Sequence, residues 1–265
     1  MNKLGFYLQN SKVELPGVGD VLQDVFRKVR PPVLLVHTDS VNSDLLRLNR
    51  KAGGVNAFVI GRMFKEVGQQ EKMLKSSDPA AEGRKFADEI LNKDPFLYLE
   101  KATMPDGSQR LLIDAWMSLN EPIPGPAWNH FQEQKEELRK RYQAYDAFQV
   151  GFRQRLQEKG IEAVAFNFGA GNFTQPEHYL ENFPRTLATY KYLGFHEYAW
   201  PHMDPSQPDP QRPGERTVSS VGLYRRCMQG IAQQFGGQHK AIITEAGLTR
   251  EHNGSRDHLH LDHRD

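Results

Sequence analysis

Cysteine is almost absent from this sequence, since Cys227 is the only one among 265 residues. A single thiol excludes an internal disulfide, so no covalent cross-link stabilises the fold. Long apolar runs are lacking too, because no stretch reaches the roughly 18 consecutive apolar residues of a membrane-spanning helix. Met1 is followed by no apolar signal-peptide region, so we expect a soluble chain, cytoplasmic by default and secreted if a leader has been removed.

An excess of charge of either sign is also missing. Lys and Arg number 34, Asp and Glu number 33, and the formal net charge is +1. A nearly neutral chain lacks the long-range field that attracts phosphate backbones or anionic lipids, so neither nucleic acid nor a membrane is an expected partner. The apolar fraction of 38% and the charged fraction of 25% are typical of a globular domain and exclude collagen, coiled coil and extended disorder.

Motifs for cofactors and for serine nucleophiles are absent as well. No glycine-rich phosphate loop follows the first predicted strand, and neither a Walker loop nor a Gly-x-Ser-x-Gly sequence occurs. We therefore expect no cofactor. Alternating histidines in residues 257–263 have a spacing that could ligate a metal, but no second cluster matches them, so we interpret this segment as an exposed tail and predict no metal site.

Short apolar runs alternate with amphipathic stretches along the whole chain, which is typical of a parallel sheet covered by helices. Apolar runs predict seven strands, at residues 4–9, 33–39, 56–64, 111–119, 163–168, 192–198 and 241–245. Apolar residues at helical spacing predict helices at residues 21–29, 43–52, 79–92, 138–156, 176–190 and 221–235.

This spacing predicts an α/β fold, a (β/α)8 TIM barrel that lacks a regular eighth strand–helix unit. Residues 1–248 would form the barrel, and residues 249–265 a polar, histidine-rich tail. A doubly wound open sheet is the competing architecture, which the missing glycine-rich loop disfavours. Because an open barrel leaves unpaired strand edges, we expect the gap to be filled by the tail, by a second copy of the chain in a homo-oligomer, or by sequence outside this chain.

Two of the predicted strands lead to a glutamate. Glu121, within an Asn-Glu-Pro sequence, follows the fourth strand, and Glu245, within Thr-Glu-Ala-Gly, ends the seventh. In a barrel the carboxyl ends of the strands carry the active site. Two carboxyl groups across one mouth are the minimum for glycoside hydrolysis, since one protonates the leaving oxygen while the other attacks or activates water. The alternative is that both are ordinary turn or surface glutamates.

These motifs resemble those of retaining glycoside hydrolases of the clan whose (β/α)8 barrels carry the acid/base after strand four and the nucleophile on strand seven. The resemblance spans residues 4–248, and cellulase-like and xylosidase-like members both fit. It implies that Glu121 is the acid/base, that Glu245 is the nucleophile and that the substrate is an oligo- or polysaccharide. His196 and Tyr198 match the family's His-x-Tyr on strand six, which lines the nucleophile's side of the pocket.

Four further residues complete the predicted substrate site. Asn120 would donate to a sugar 2-hydroxyl, or else form an Asx turn. Arg62, after the third strand, would hydrogen-bond Glu245, or else form a structural ion pair. Asn167 belongs to the fifth strand, beside a glycine-rich loop. The glycines of that loop would let the backbone approach a ligand, or else only form a turn. Trp200 follows the sixth strand and would stack on a sugar ring or form a hydrophobic lid.

Electrostatics supports the two catalytic roles. If the carboxyl groups lie about 5 Å apart, the negative charge of Glu245 favours the protonated form of Glu121, which is the form that an acid catalyst needs. The predicted function is therefore retaining hydrolysis of a β-linked saccharide. The alternative is a carbohydrate-binding pseudoenzyme or an inactive barrel fragment, because a missing eighth strand removes the aromatic floor that such enzymes commonly place under the sugar.

Overall fold

A computed structural model describes residues 6–8, 21, 24, 28, 32–37, 46–47, 50, 57–93, 99–104, 106–122, 135–169, 172–173, 175–200, 218–219 and 222–248. The chain divides into two compact units. The first consists of Met1–Asn120 with Ala144–Ala165, and the second of Glu121–Gln143 with Phe166–Asp265. The predicted tail, residues 249–265, lies outside the described residues.

Strands are found at all seven predicted places. In chain order the described strands are β1 Phe6–Leu8, β2 Val33–His37, β3 Phe58–Arg62, β4 Lys101–Thr103, β5 Gln109–Leu111, β6 Ala115–Met117, β7 Glu162–Phe168, β8 Tyr192–Trp200, β9 Val218–Ser219 and β10 Lys240–Leu248. The described helices with defined bounds are α1 Val67–Leu74, α2 Pro79–Lys93, α3 Lys135–Gln157, α4 Pro176–Asn182, α5 Pro184–Thr189 and α6 Leu223–Phe235. None of the helices within the described ranges is both long and apolar enough to cross a membrane.

The main sheet keeps the order of the chain. In the first unit, β1 pairs with β2, β2 with β3, β3 with β6 and β6 with β7, all in parallel. The other neighbour of β7 is β8, which pairs with β10 in parallel and with the short β9 in antiparallel orientation. Sequential parallel strands with intervening helices are the arrangement of a (β/α)8 barrel. The described residues contain no regular eighth unit, and the predicted fold class is confirmed.

The fourth predicted strand is shorter than the apolar run that predicted it, because Asp114 interrupts it. The backbone N–H of Val59 donates to Asp114 Oδ2 at 2.8 Å. Arg50 donates to the same oxygen, also at 2.8 Å, and its guanidinium is fully buried. The Val59 N–H is therefore bonded to a side-chain carboxylate and not to a carbonyl group of the neighbouring strand. As a result, β6 begins only at Ala115.

An antiparallel hairpin, β4 with β5, was not predicted. Its turn contains Gly107 at φ 82°. Asp106 Oδ1 accepts hydrogen bonds from the hydroxyl and the backbone N–H of Ser108, at 2.6 and 2.9 Å, and these bonds lower the pKa of Asp106. The Pro-Asp-Gly-Ser sequence at this turn is a strong turn signal that would have revealed the hairpin.

The predicted helix at residues 176–190 is divided into α4 and α5. Pro184 has no backbone N–H to continue the first helix, whereas the first turn of a new helix accepts proline readily. Helix α1 was not predicted at all. Helices α2, α3 and α6 lie where the apolar spacing placed them, and α6 ends at Gly236 in the left-handed conformation. Most residues of the predicted helices at 21–29 and 43–52 lie outside the described residues.

Helices α2 and α3 approach each other closely within the first unit. A Cβ atom on Gly83 would lie 2.1 Å from the carbonyl oxygen of Phe148, and one on Gly151 would lie 2.0 Å from that of Ala80. Glycine is therefore required at both positions, because any side chain would separate the two backbones. Phe86 stacks on Phe152 beside this contact, with ring centroids 5.5 Å apart.

Aromatic side chains fill the interior of the second unit next to the end of β7. The cluster has neighbouring ring centroids 4.2–6.4 Å apart and consists of Phe166, Phe168, Phe173, Tyr179 and Phe183. Phe166 has a φ of 73°, which bulky residues rarely adopt. Packing on all sides stabilises this residue in a conformation that would cost about 1–3 kcal/mol in isolation.

Candidate active site

Glu121 and Glu245 come together in the second unit. One carboxylate oxygen of each, together with the Nδ1 of His196, lie within 4.8 Å of one another. The Glu121 side chain is 49% exposed, whereas that of Glu245 is 17% exposed. The structure thus pairs one carboxyl group that is open to solvent with one that is largely covered.

The backbone at Glu121 is strained. Its φ is 47°, and among the described non-glycine residues positive φ angles occur otherwise at Phe166 and Asn167. The backbone N–H of Glu121 donates to the carbonyl oxygen of Asn167 at 2.9 Å, which joins the strained segments. Strained backbone of this kind is concentrated at functional sites, where the surrounding structure maintains it.

A β-bulge positions Glu245. On β10, Ile243 pairs with Phe195 and Glu245 pairs with His196, so Thr244 is an extra residue in the ladder. Because side chains alternate along a strand, one inserted residue changes the face to which the following side chains point. Glu245 therefore lies within β10, which continues to Leu248, and not at the end of the strand as the sequence predicted.

Two side chains of β8 contact the carboxyl groups. The Tyr198 hydroxyl donates to Glu245 Oε2 at 3.0 Å. His196 Nδ1 lies 3.0 Å from Glu121 Oε1 and 3.8 Å from Glu245 Oε2. The Tyr198 hydroxyl therefore helps to fix the orientation of the Glu245 carboxyl group.

The hydrogen bonds of His196 depend on which of its nitrogens carries the proton. The side chain is fully buried, and Nε2 has no hydrogen-bond partner within the described part of the chain. When Nδ1 carries the proton, His196 donates to Glu121 Oε1. This bond favours the ionised form of Glu121, whereas the charge of Glu245 favours its protonated form.

The same three side chains, Glu121, His196 and Glu245, could hold a divalent cation by their spacing. A metal-ligating histidine almost always donates its second N–H to an acceptor, which fixes the ring. His196 Nε2 has no such acceptor among the described residues. The donor set therefore does not match a metal centre, and we assign no cation to it.

The other predicted site residues are placed as follows. Asn167 is fully buried and lies in the second unit with the carboxyl pair. Arg62, at the end of β3 and 7% exposed, and Asn120, whose buried Oδ1 has no partner among the described residues, belong to the first unit. The side chain of Trp200 lies outside the described residues. Substrate contacts by these four residues stay predictions.

Two further residues lie near the site: Glu197, which was not singled out from the sequence, and Gly169, a glycine of the loop that follows the fifth predicted strand. The Glu197 carboxylate accepts the backbone N–H groups of Gly222 and Tyr224, at 3.0 and 3.3 Å, and so anchors the N-terminus of α6. Strand alternation, which points Glu197 away from its neighbours His196 and Tyr198, is the signal that would have separated its structural role from theirs. Gly169 lies against the site, since a Cβ there would be 3.2 Å from Glu121 Oε1.

The single cysteine lies behind the site and is inert. Cys227 is 1% exposed, and burial raises the pKa of its thiol to about 11. It lines a cavity of about 20 Å³ together with His196 and Tyr224, which is room for one water molecule. Because the thiolate is the reactive form, the sequence-based interpretation of Cys227 as a packing residue agrees with its surroundings.

No protein-family model matches this chain, and no curated protein matches it either. Two solved structures resemble it weakly. A β-1,4-D-mannanase from Cryptopygus antarcticus is 11% identical, with 73% of this chain and 65% of that chain covered and a TM-score of 0.38. Fpglu1 from Fervidobacterium pennivoraus is 11% identical, with 88% and 68% covered and a TM-score of 0.42. This chain spans less than two thirds of the mannanase's length, and neither similarity bears on activity.

Proposed function

We propose that the protein is a retaining O-glycoside hydrolase that cleaves a β-linked oligo- or polysaccharide. The observation that carries this proposal is the distance between carboxylate oxygens of Glu121 and Glu245, which lie within 4.8 Å of each other. Retaining enzymes separate their carboxyl groups by about 5–5.5 Å, whereas inverting enzymes need about 6.5–9.5 Å to admit a water molecule. The short separation supports direct attack by a carboxylate.

The surroundings of the two carboxyl groups support different roles for them. Glu245 is the more buried and accepts the Tyr198 hydroxyl, which fixes the orientation that a nucleophile needs. Glu121 is half exposed, so a leaving group that it protonates can depart into solvent. We therefore propose Glu245 as the nucleophile and Glu121 as the acid/base.

The reaction would proceed in two displacements. Glu245 attacks the anomeric carbon while Glu121 gives its proton to the glycosidic oxygen, so that the C–O bond breaks and a glycosyl ester forms on Glu245. Glu121 then removes a proton from water, and the resulting hydroxide oxygen displaces Glu245 from the anomeric carbon. The His196 Nδ1–H suits this second step, since it stabilises Glu121 as a carboxylate.

A panel of aryl β-glycosides of mono- and oligosaccharides tests the proposal. We expect hydrolysis of at least one of these glycosides, and NMR should show the β-anomer as the first product. Glu245→Gln should lose nearly all turnover, although the side-chain volume hardly changes. Glu181→Gln, an exposed glutamate of α4, is the matched control and should retain full activity. Turnover with inversion, or wild-type rates in Glu245→Gln, would contradict the mechanism. Saccharide binding without any turnover would identify a carbohydrate-binding protein instead.

A further inference from the structure

A buried hydrogen bond joins Asn167 to Thr244, the residue that immediately precedes Glu245. The Thr244 hydroxyl lies 3.1 Å from Asn167 Oδ1 and 3.3 Å from the carbonyl oxygen of Phe195, and can donate to either. Thr244 is 5% exposed and Asn167 is fully buried. Both side chains are buried, and the bond connects two segments of the protein.

Each partner of this bond is connected to one of the carboxyl-bearing residues. Thr244 is the extra residue of the β10 bulge and immediately precedes Glu245. The backbone carbonyl of Asn167 accepts the N–H of Glu121 at 2.9 Å. These contacts connect Glu121 to Glu245 through Asn167 and Thr244. The hydrogen bond between the Thr244 and Asn167 side chains joins β10 to β7.

The residue types suit this connection. Asn167 has a φ of 52°, and asparagine tolerates the left-handed region better than most residues. In that conformation its side chain and its carbonyl group reach two different chain segments. A regular strand pair has no extra residue at this point. The bulge adds Thr244 there, and its side chain provides a hydroxyl group.

We infer that Thr244 and Asn167 are a positioning pair, which sets the separation between the Glu121 and Glu245 carboxyl groups. This inference rests on the proposed function for its effect on catalysis, but its effect on the two carboxyl groups is independent of activity. At a pH where both carboxyl groups are ionised, their charges repel each other within 4.8 Å, so the two groups move apart when the connection is removed.

The coupling between the two titrations reports this separation. Two interacting carboxyl groups release their protons in two steps as the pH rises. The interval, in pH, between the two steps narrows as the interaction between the groups weakens. Within the described part of the chain, His196 and Tyr198 contact the pair from β8, and each glutamate also lies near the other. Both β8 groups are kept in every variant below, so the variants change none of these titratable groups.

The experiment is a 13C NMR titration of the glutamate carboxyl carbons in the full chain, for the wild type, Thr244→Val and Thr244→Ser. Valine keeps the volume of threonine without its hydroxyl, whereas serine keeps the hydroxyl. We expect a narrower interval in Thr244→Val and a wild-type interval in Thr244→Ser. If hydrolysis is established, kcat falls by up to about 100-fold in the valine variant with little change in KM, because a displacement of about 1 Å has that effect.

Asn167→Gly separates the side-chain link from the backbone link, since glycine retains the left-handed conformation and the carbonyl group. It should narrow the interval as Thr244→Val does, and the double variant should add nothing further. Ile231→Val, a buried change in α6, controls for a general loss of stability and should leave the interval unchanged. A wild-type interval in a folded Thr244→Val, or equal narrowing in Ile231→Val, would overturn the inference. An inactive wild type with a narrowed interval in Thr244→Val would overturn only the proposed function.

Discussion

The backbone N–H of Glu121 donates to the backbone carbonyl of Asn167 at 2.9 Å, and both residues hold left-handed φ angles, 47° and 52°. Glu121 follows β6 in the chain, but this bond ties its backbone to β7. The placement of the proposed acid/base thus depends on a residue far away in the sequence, which explains why an isolated Asn-Glu-Pro motif is ambiguous.

Glu121→Ala should reduce hydrolysis of saccharides with poor leaving groups by at least about 100-fold, and hydrolysis of activated aryl glycosides much less. Protonation of the leaving oxygen matters little when that oxygen departs easily. Steady-state kinetics on a series of aryl leaving groups measures the difference, with Glu181→Ala as the control at an exposed carboxylate of the same unit. Equal losses for all leaving groups would count against the acid role.

His196→Phe should move the alkaline limb of the pH–activity profile to higher pH. Nδ1–H stabilises the ionised form of Glu121, so its removal lets the catalytic proton stay on Glu121 at higher pH. His196→Asn is the matched variant, because its amide can donate from near the place of Nδ1 and should shift the limb less. A move to lower pH would mean that Glu121 donates to the imidazole instead.

Gly169→Ala should lower kcat by roughly 3- to 10-fold at nearly unchanged thermal midpoint. The added Cβ would lie 3.2 Å from Glu121 Oε1 and 3.3 Å from Asn172 Nδ2, so the carboxyl group must shift by a few tenths of an ångström, and small misplacements reduce catalysis steeply. Gly68→Ala, where nothing lies within 4 Å of the added atom, is the control. Wild-type kcat in Gly169→Ala would show that the carboxyl group is not held there during turnover.

Gly151→Ala should lower the free energy of unfolding by about 1–3 kcal/mol or more, because its Cβ would overlap the backbone of α2 and force the two helices apart. Urea denaturation measures the change. Gly68→Ala should instead stabilise by about 0.4–1 kcal/mol through the unfolded chain. Similar effects of the two substitutions would contradict the close approach of α2 and α3.

Arg50→Ala should be far more damaging than Arg47→Ala. Arg50 is fully buried and donates to Asp114 and to the carbonyl groups of Ala57 and Leu112. Its removal leaves buried acceptors without this donor, at about 1–3 kcal/mol for each unsatisfied group, while Asp114 keeps Arg110 as an ion-pair partner. Arg47 pairs with Glu100 at the surface, where an ion pair contributes about 0–1 kcal/mol. Comparable losses in urea denaturation would place Arg50 in a solvated environment.

Local periodicity by itself determined where seven strands of the main sheet and helices α2, α3 and α6 lie. Apolar runs of strand length form strands, and apolar residues at helical spacing form helices, because both patterns present one continuous apolar surface for burial. The same patterns predicted seven consecutive parallel strands. Local changes in backbone hydrogen bonding limited the accuracy of these predictions. The Asp114 carboxylate shortened β6, and Pro184, which has no backbone N–H, divided a helix in two.

The sequence also singled out Glu121 and Glu245 as a pair, since both follow or interrupt strands with a charged residue. Their separation was decided by tertiary structure alone. It depends on the bulge at Thr244, on the left-handed backbone at Asn167 and on hydrogen bonds that join residues distant in the chain. Such contacts have no local periodicity, because each is made possible only after the strands have packed against one another.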